Sequence, residues 1–287
     1  MTDTILQIDH LTKQYSDFRL DDVSFSIPKG TIMGLIGENG AGKSTTIKAA
    51  LGLIGKDSGT VSFWGQELSS SKRLKEDIGV VFDSIHFYET LTPEKIGRIS
   101  EAAYRQWNGQ LYLDFLNRFQ LPADKEIKSF SKGMKTKLCI AAALSHAPKL
   151  LILDEATSGL DPVMRDDILD VFLEFVQNEN HSILMSSHIS TDLEKVADYI
   201  TFIHQGKVLF CKTKDELRYR YGIIRCRTEL FNTIDKSEIL AFRKEDYQWN
   251  VLVADKEKAK YKYKTAVVDD ASIDDIMLLY VKGDYPK

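Results

Sequence analysis

The sequence predicts an α/β fold: a mixed, largely parallel sheet grown around a glycine-rich strand–loop–helix, with an antiparallel β part at the N-terminus. A helical subdomain interrupts it and a small α+β appendage follows it. Three observations predict this. The apolar run Ile32 to Ile36 leads straight into Gly37-Glu38-Asn39-Gly40-Ala41-Gly42-Lys43-Ser44-Thr45, and a helix-like run from Thr46 to Leu53 follows. Leu150 to Leu153 and Ser182 to Ser186 are apolar without alternation, as strands buried on both faces of a parallel sheet should be. Between these runs, residues 84 to 148 carry mostly helical spacing.

The glycine-rich stretch reads G-x-x-x-x-G-K-S. Gly37, Gly40 and Gly42 let the backbone take φ > 0 and turn its N–H groups, those of Asn39, Ala41 and Thr45 among them, around phosphate oxygens. Lys43 can reach the β- and γ-phosphates, and the Ser44 hydroxyl can hold Mg2+. The helix starting near Gly42 points its positive dipole end at the same anion. Nucleoside triphosphate binding is the predicted property.

Composition narrows the partners. The 287 residues are 43% hydrophobic and 28% charged, an ordinary globular balance, long enough for a large domain with a small one. A net charge of −4 argues against a dedicated nucleic-acid binder. Cys139, Cys211 and Cys226 stand far apart with no CxxC or Cys/His cluster, so zinc is not expected and a reduced, cytosolic setting is. Residues 1 to 10 lack a signal-peptide core. No apolar run approaches the ~18 residues that cross a bilayer, so a membrane role would need another polypeptide to span it.

In order along the chain, residues 4 to 8 and 23 to 27 read as short strands, and the helix after the glycine-rich loop is expected to stop near Gly55. A strand at Thr60 to Trp64, a charged helical piece at Ser71 to Asp77 and a strand at Ile78 to Phe82 follow. Thr92-Pro93-Glu94 is an N-cap with proline at the first helical position. Leu111, Phe115, Leu116 and Phe119 recur at helical spacing, and Ser131 opens another helix. A long helix follows Pro162; Tyr199 to Ile203 and Val208 to Phe210 form a hairpin about Gln205-Gly206. Thr213-Lys214-Asp215-Glu216 is a capping box. After Gly222 the texture changes, and residues 222 to 287 read as an accessory domain ending in a helix capped by Ser272.

The run Leu150 to Leu153 ends in Asp154-Glu155. A carboxylate at the C-terminal end of a strand beside a phosphate loop is where a phosphate-bound Mg2+ finds a hard oxygen ligand, which assigns Asp154 to the metal. Glu155 is then placed to orient and deprotonate the water attacking the γ-phosphate. Tyr15, in a polar loop, is either a satellite core residue or a stacking platform. Ser131 alone is a plain N-cap, and His188 alone reads as structural, as do His10, His86, His146, His181 and His204.

Phe130-Ser131-Lys132-Gly133-Met134 stands 23 positions before Asp154 (154 − 131) and resembles the L-S-G-G-Q signature of ATP-binding cassette (ABC) proteins. Ser158-Gly159-Leu160-Asp161 is similar to that family's D-loop, and His188 to its switch histidine. The resemblance covers residues 3 to about 221 in the family's order, which sets the cassette at 1–221 with its helical subdomain at about 84–148. It implies a P-loop NTPase core, ATP as the nucleotide and Mg2+ beside it. It also implies that Tyr15 stacks on adenine, and that His188 hydrogen-bonds the γ-phosphate and holds the attacking water with Glu155. Ser131 and the Gly133 amide become ligands in trans, facing ATP bound mainly by a second ATP-binding subunit. Three positions depart from the pattern, one of them Met134 in place of the signature's glutamine. Asp83 replaces the glutamine that touches Mg2+, though its oxygen can still serve a hard cation. Lys132 replaces a glycine, and its ammonium either faces the nucleotide or is merely solvated.

What the resemblance implies is an ATPase subunit, acting as a homo- or heterodimer, that powers a separate transmembrane permease from the cytoplasmic face of the membrane. The S-K-G-M signature, Asp83 and the appendage resemble bacterial multidrug and antimicrobial-peptide exporters. A nutrient-importer subunit and a soluble ABC protein of repair or translation are the alternatives. Lys256, Lys258, Lys260, Lys262 and Lys264 alternate as on a strand with one charged face. Such a face is solvated or blunts a sheet edge; contact with anionic lipid headgroups is the second reading.

Overall fold

A computed structural model describes residues 4–68, 72–83 and 87–286. Ser71, Ser84 and His86 lie outside the described residues. The chain separates into two units, residues 1–197 with 203–209, and residues 198–202 with 210–287.

The first unit opens with strands β1 (Thr4–Gln14) and β2 (Arg19–Pro28), then β3 (Ile32–Ile36), helix α1 (Lys43–Ala50) and β4 (Ser58–Phe63). β1, β2 and β4 form an antiparallel sheet in the order β2-β1-β4. β1 and β2 outrun the predicted 4–8 and 23–27. The register shift between Ile8 and Leu11, with His10 at φ 54, is a bulge that carries the pairing onward to Gln14 and Arg19. α1 stops earlier than predicted. Gly52, at φ 67, not Gly55, turns the chain: its N–H donates to Ala49 O at 3.1 Å and that of Leu53 to Lys48 O at 2.9 Å, closing the helix as a left-handed C-terminal glycine does.

Helix α2 (Lys72–Glu76) and β5 (Ile78–Phe82) lead to three helices, α3 (Pro93–Ala103), α4 (Gly109–Arg118) and α5 (Lys132–Ser145). Their starts are written in their caps: Thr92, Asn108 and Ser131 accept from the N–H groups of Lys95, Leu111 and Met134 at 3.3, 2.9 and 3.2 Å. β6 (Leu150–Asp154), α6 (Pro162–Phe175), β7 (Ser182–Ser187) and α7 (Ser190–Val196) follow.

β5, β6, β7 and β3 lie side by side and parallel, with every residue of β3, β6 and β7 buried. Each large aliphatic side chain sealed between the sheet faces contributes about 1.5–3 kcal/mol. Residues 203–209 continue this sheet through the end of β8 (Tyr199–His204) and the start of β9 (Lys207–Thr213), giving β5-β6-β7-β3-β8-β9. The turn between them has φ 46 at Gln205 and φ 78 at Gly206, the double positive φ of a tight hairpin turn. Register places Phe82 beside Asp154, Asp154 beside Ser186 and Ile36 beside Ser187. The C-terminal ends of four parallel strands therefore converge where the glycine-rich loop leaves β3, the usual ligand edge of an α/β sheet.

The second unit carries α8 (Lys214–Arg220), β10 (Gly222–Cys226), α9 (Thr228–Phe231), β11 (Ile239–Glu245), β12 (Gln248–Val253), α10 (Lys256–Lys262), β13 (Val267–Asp270) and α11 (Ile273–Lys282). Its antiparallel sheet runs β11-β12-β10-β13 over a core of Ile224, Ile234, Val251, Val253, Ala259 and Tyr263. Ser272 and Asp275 make a reciprocal capping box on α11.

The lysine stripe is corrected here: residues 256–262 are the helix α10, not a strand. Asp255 caps it by accepting from Lys258 N–H at 2.9 Å, and Lys256, Ala259 and Tyr263 are its buried positions, at helical spacing. Lys256 pairs with Asp270 at 2.6 Å, Lys258 with Glu238 at 2.8 Å, Lys260 with Glu257 at 2.9 Å and Lys262 with Glu238 at 3.1 Å. The stripe is largely neutralised within its own unit.

Candidate active site

The loop between β3 and α1 is shaped by close approach as much as by φ. Gly40 and Gly42 stand at φ 81 and 112, while a Cβ on Gly37 would sit 2.3 Å from Ile203 O. The hairpin turn holds the loop from behind: Gly206 N–H donates to Ala41 O at 2.9 Å, and Gly206 O accepts from Asp21 N–H at 2.8 Å. Thr46 tightens the first turn of α1, its N–H and Oγ1 both donating to Gly42 O at 2.8 Å.

Lys43 is buried at 5% exposure with its ammonium fully engaged. Nζ donates to Gly37 O at 2.7 Å and Glu38 O at 3.2 Å and lies 3.1 Å from Glu155 Oε1. A buried ammonium left without anion or carbonyls would be strongly destabilising, so an incoming phosphate can replace the carboxylate only as an anion of equal reach.

Asp154, 4% exposed at the end of β6, receives two hydroxyls on Oδ1: Ser44 Oγ at 3.0 Å and Ser186 Oγ at 2.7 Å. Glu155 follows at φ 56, left-handed backbone that a non-glycine residue adopts at a cost of about 1–3 kcal/mol. Its N–H is held by Ser186 O at 3.2 Å and Ser186 Oγ at 3.1 Å. That turn aims the carboxylate back over the sheet edge, with Oε1 on Lys43 and Oε2 hydrogen-bonded to His188 Nδ1.

Lys43, Ser44, Glu155 and His188 open onto a cavity of about 670 Å3. Its wall includes Asn39, Gly40, Gly42, Lys43, Ser44 and Thr45 from the loop, and Asp83, Glu155 and His188 from the strand ends. A cation at the base, loop amides around it and a carboxylate–imidazole pair on one side form a receptacle for a polyphosphate.

The ABC transporter family model matches residues 20–158. The lantibiotic transport ATP-binding protein SrtF of Streptococcus pyogenes is 38% identical over 214 residues, 74% of this chain and 92% of its own length. This chain belongs to the ABC transporter family.

The bacitracin transport ATP-binding protein BcrA of Bacillus licheniformis is similar to this ABC protein at 35% identity over 221 residues, 76% of this chain and 72% of its own. Among solved structures, an ATP-binding subunit of an ABC transporter superposes with TM-score 0.69 at 32% identity, covering 75% of this chain and 92% of its own. Members of the family are the ATP-hydrolysing subunits of transporters, and the α/β core described above is their fold.

Not every residue singled out in the sequence reaches the cavity wall. Asp154 lies behind it, and Gly37 and Ala41 shape the loop. Tyr15 is 41% exposed with Lys13 Nζ 5.7 Å from its ring centroid, and its N–H donates to Phe18 O at 2.8 Å. Phe18 and Asp17 line the cavity and Tyr15 does not. Ser131 and Gly133 are also off the wall: Ser131 Oγ caps α5, and Gly133 packs under Met164, whose Sδ would lie 2.1 Å from an added Cβ.

Asp17, Phe18 and Ser186 are the residues sequence reasoning missed. Ser158, also on the wall, belongs to a motif already read, and Phe18 is an aromatic in the same polar loop as Tyr15. Ser186 carries no local signal, because only the β6–β7 register sets it against Asp154.

Proposed function

We propose that this chain binds and hydrolyses ATP with Mg2+ as one half of a dimer, peripheral to the cytoplasmic face of the membrane, driving export of peptides or drugs by a separate permease. The observation that carries the reading is the convergence of Lys43, Glu155 and His188 on one cavity, with Asp154 and Ser44 hydrogen-bonded beside it. The relatives named for lantibiotic and bacitracin transport support the exporter class.

Lys43 binds the β- and γ-phosphates, releasing Glu155 as it turns to them. Glu155, still held by His188, accepts a proton from water as the water oxygen bonds to the γ-phosphorus and the bond to the β-phosphate oxygen breaks. ADP and phosphate leave. A positioned base of this kind contributes about 10²–10⁴-fold. The donor set suits Mg2+: both hydroxyls engage Asp154 Oδ1, leaving Oδ2, with Ser44 Oγ adjacent and Asp83 on the wall. Among the described residues no group of three or more His, Cys, Asp and Glu could cage a metal, and Mg2+ needs only one or two carboxylates beside phosphate oxygens. When bound, that ion neutralises charge on the phosphates. Ser131 and the Gly133 amide, away from the cavity in their own chain, serve the nucleotide of the other half, so ATP binding favours the closed pair. Among the described residues no helix is long and apolar enough to cross a membrane, which suits a peripheral motor.

Glu155→Gln tests the chemistry. It should retain ATP, stabilise an ATP-dependent dimer and lose at least about 100-fold in turnover; hydrolysis at the wild-type rate overturns the assignment. Copurification with a polytopic membrane protein tests the transport role.

A further inference from the structure

One carboxylate of the cavity wall is tied to a cation that is not on the wall. Lys132 Nζ, from the first residue of α5, lies 3.0 Å from Oδ1 of Asp83, which follows β5 and lines the cavity wall. The lysine is not loosely solvated. An added Cβ on Gly159, which stands at φ 72, would meet Lys132 Nζ at 3.2 Å, Cδ at 3.7 Å and Cε at 3.8 Å, so the side chain lies along that loop. One ammonium thus joins the end of β5, the start of α5 and the loop after β6.

Local physics does not favour a lysine there. The first turn of a helix carries partial positive charge, and α5 has Lys132 and Lys135 in that turn and no acidic residue. Both ammonium groups are offset from outside the helix, Lys132 by Asp83 and Lys135 by Glu89 at 3.1 Å. Of the two strand-end carboxylates on the wall, Glu155 is held by Lys43 and His188, while Asp83 is paired with Lys132.

We infer that Lys132 is a positioning residue for the metal–nucleotide site: its ammonium holds the Asp83 carboxylate on the cavity wall, and a nucleotide-bound divalent cation competes with it for that carboxylate. The inference rests on the nucleotide-site reading above. It makes Asp83 a ligand withheld by a cation from the signature helix rather than one standing ready. With both side chains about half exposed, the competition is weak enough to be reversible. Lys132 also screens Asp83 from the phosphates, so losing the lysine has opposite effects with and without metal. Nucleotide without metal meets an unshielded carboxylate, while metal-bound nucleotide gains a ligand.

The test is the affinity of a non-hydrolysable ATP analogue for the full chain, measured by calorimetry in EDTA and in excess Mg2+. The ratio of the two Kd values is the readout. Lys132→Met should raise that ratio about three- to five-fold, the size of one half-exposed charge pair. Lys132→Arg should keep the wild-type ratio. In an Asp83→Asn background, Lys132→Met should leave it unchanged. An unchanged ratio in Lys132→Met overturns the inference alone. A ratio raised equally in the Asp83→Asn background makes Lys132 a direct phosphate contact and also overturns it. A wild-type chain that binds no analogue overturns the nucleotide-site reading as well.

Discussion

Ser186 Oγ donates to Asp154 Oδ1 at 2.7 Å while the same hydroxyl accepts from Glu155 N–H at 3.1 Å. One serine on β7 therefore fixes both the metal-side carboxylate and the backbone of the proposed base. Ser186→Ala should lower kcat about ten-fold and stability by about 1 kcal/mol, the worth of a buried hydroxyl bond, while metal-free nucleotide affinity stays near wild type. Steady-state kinetics with a denaturant titration check it. Ser186→Thr should recover most of the loss.

Gly206 is the residue the hairpin turn cannot exchange. A Cβ there would lie 1.8 Å from Arg19 O, at φ 78. Gly206→Ala should lose about 2 kcal/mol or more from strain and overlap together, and nucleotide affinity with it, because Ala41 loses its donor from the turn. Urea unfolding beside analogue binding measures both.

Gly133→Ala separates folding from assembly. The added methyl meets the Met164 thioether, the flexible end of a side chain that can move aside. The monomer should unfold within about 1 kcal/mol of wild type. In a Glu155→Gln background the ATP-dependent dimer should weaken at least ten-fold, read by light scattering.

His146 gives the fold a pH dependence. Burial holds its pKa below the usual imidazole range, against the opposing pull of the Ile78 and Ala142 carbonyls and of Asp77 and Glu76. It stacks on Tyr104 at 4.3 Å between ring centroids, and its Nε2 lies 3.3 Å from Ile78 O. A depressed histidine is neutral when folded, so the unfolded chain takes up a proton first. Stability is complete above pH ~6.5 and falls as pH drops from there towards the lower folded value. The thermal midpoint should decline between pH 7 and 5.5, and His146→Gln should flatten that decline.

Cys139, half-buried on α5, has its thiol pushed up to about 12 by desolvation. At pH 8 it should resist a thiol reagent in the folded protein and react on unfolding. Rapid native labelling would show that α5 opens.

The parts legible in the sequence were those whose physics is local. The glycine-rich loop, the unbroken apolar runs of β6 and β7 and the caps at Thr92, Ser131 and Ser272 each depend on neighbours within a few positions. What escaped depends on distant partners. Alternation at 256–264 suggested a strand because Lys258, Lys260 and Lys262 hid the helical recurrence of Lys256, Ala259 and Tyr263. Ser186 needed the β6–β7 register. The ion pair of Lys132 with Asp83 needed two residues 49 positions apart to meet (132 − 83).

The hairpin turn also sets a timetable for synthesis. The phosphate loop is braced by Gly206, 165 residues downstream of the Ala41 carbonyl it grips (206 − 41), and β3 is flanked by β7 and β8, both made far later. A nascent chain shorter than about 206 residues carries the whole nucleotide motif but lacks the turn that braces it. Loop closure over such separations comes late in folding. Ribosome-bound chains should therefore acquire ATP affinity in one step, after the turn has cleared the exit tunnel, and a chain truncated before it should have none.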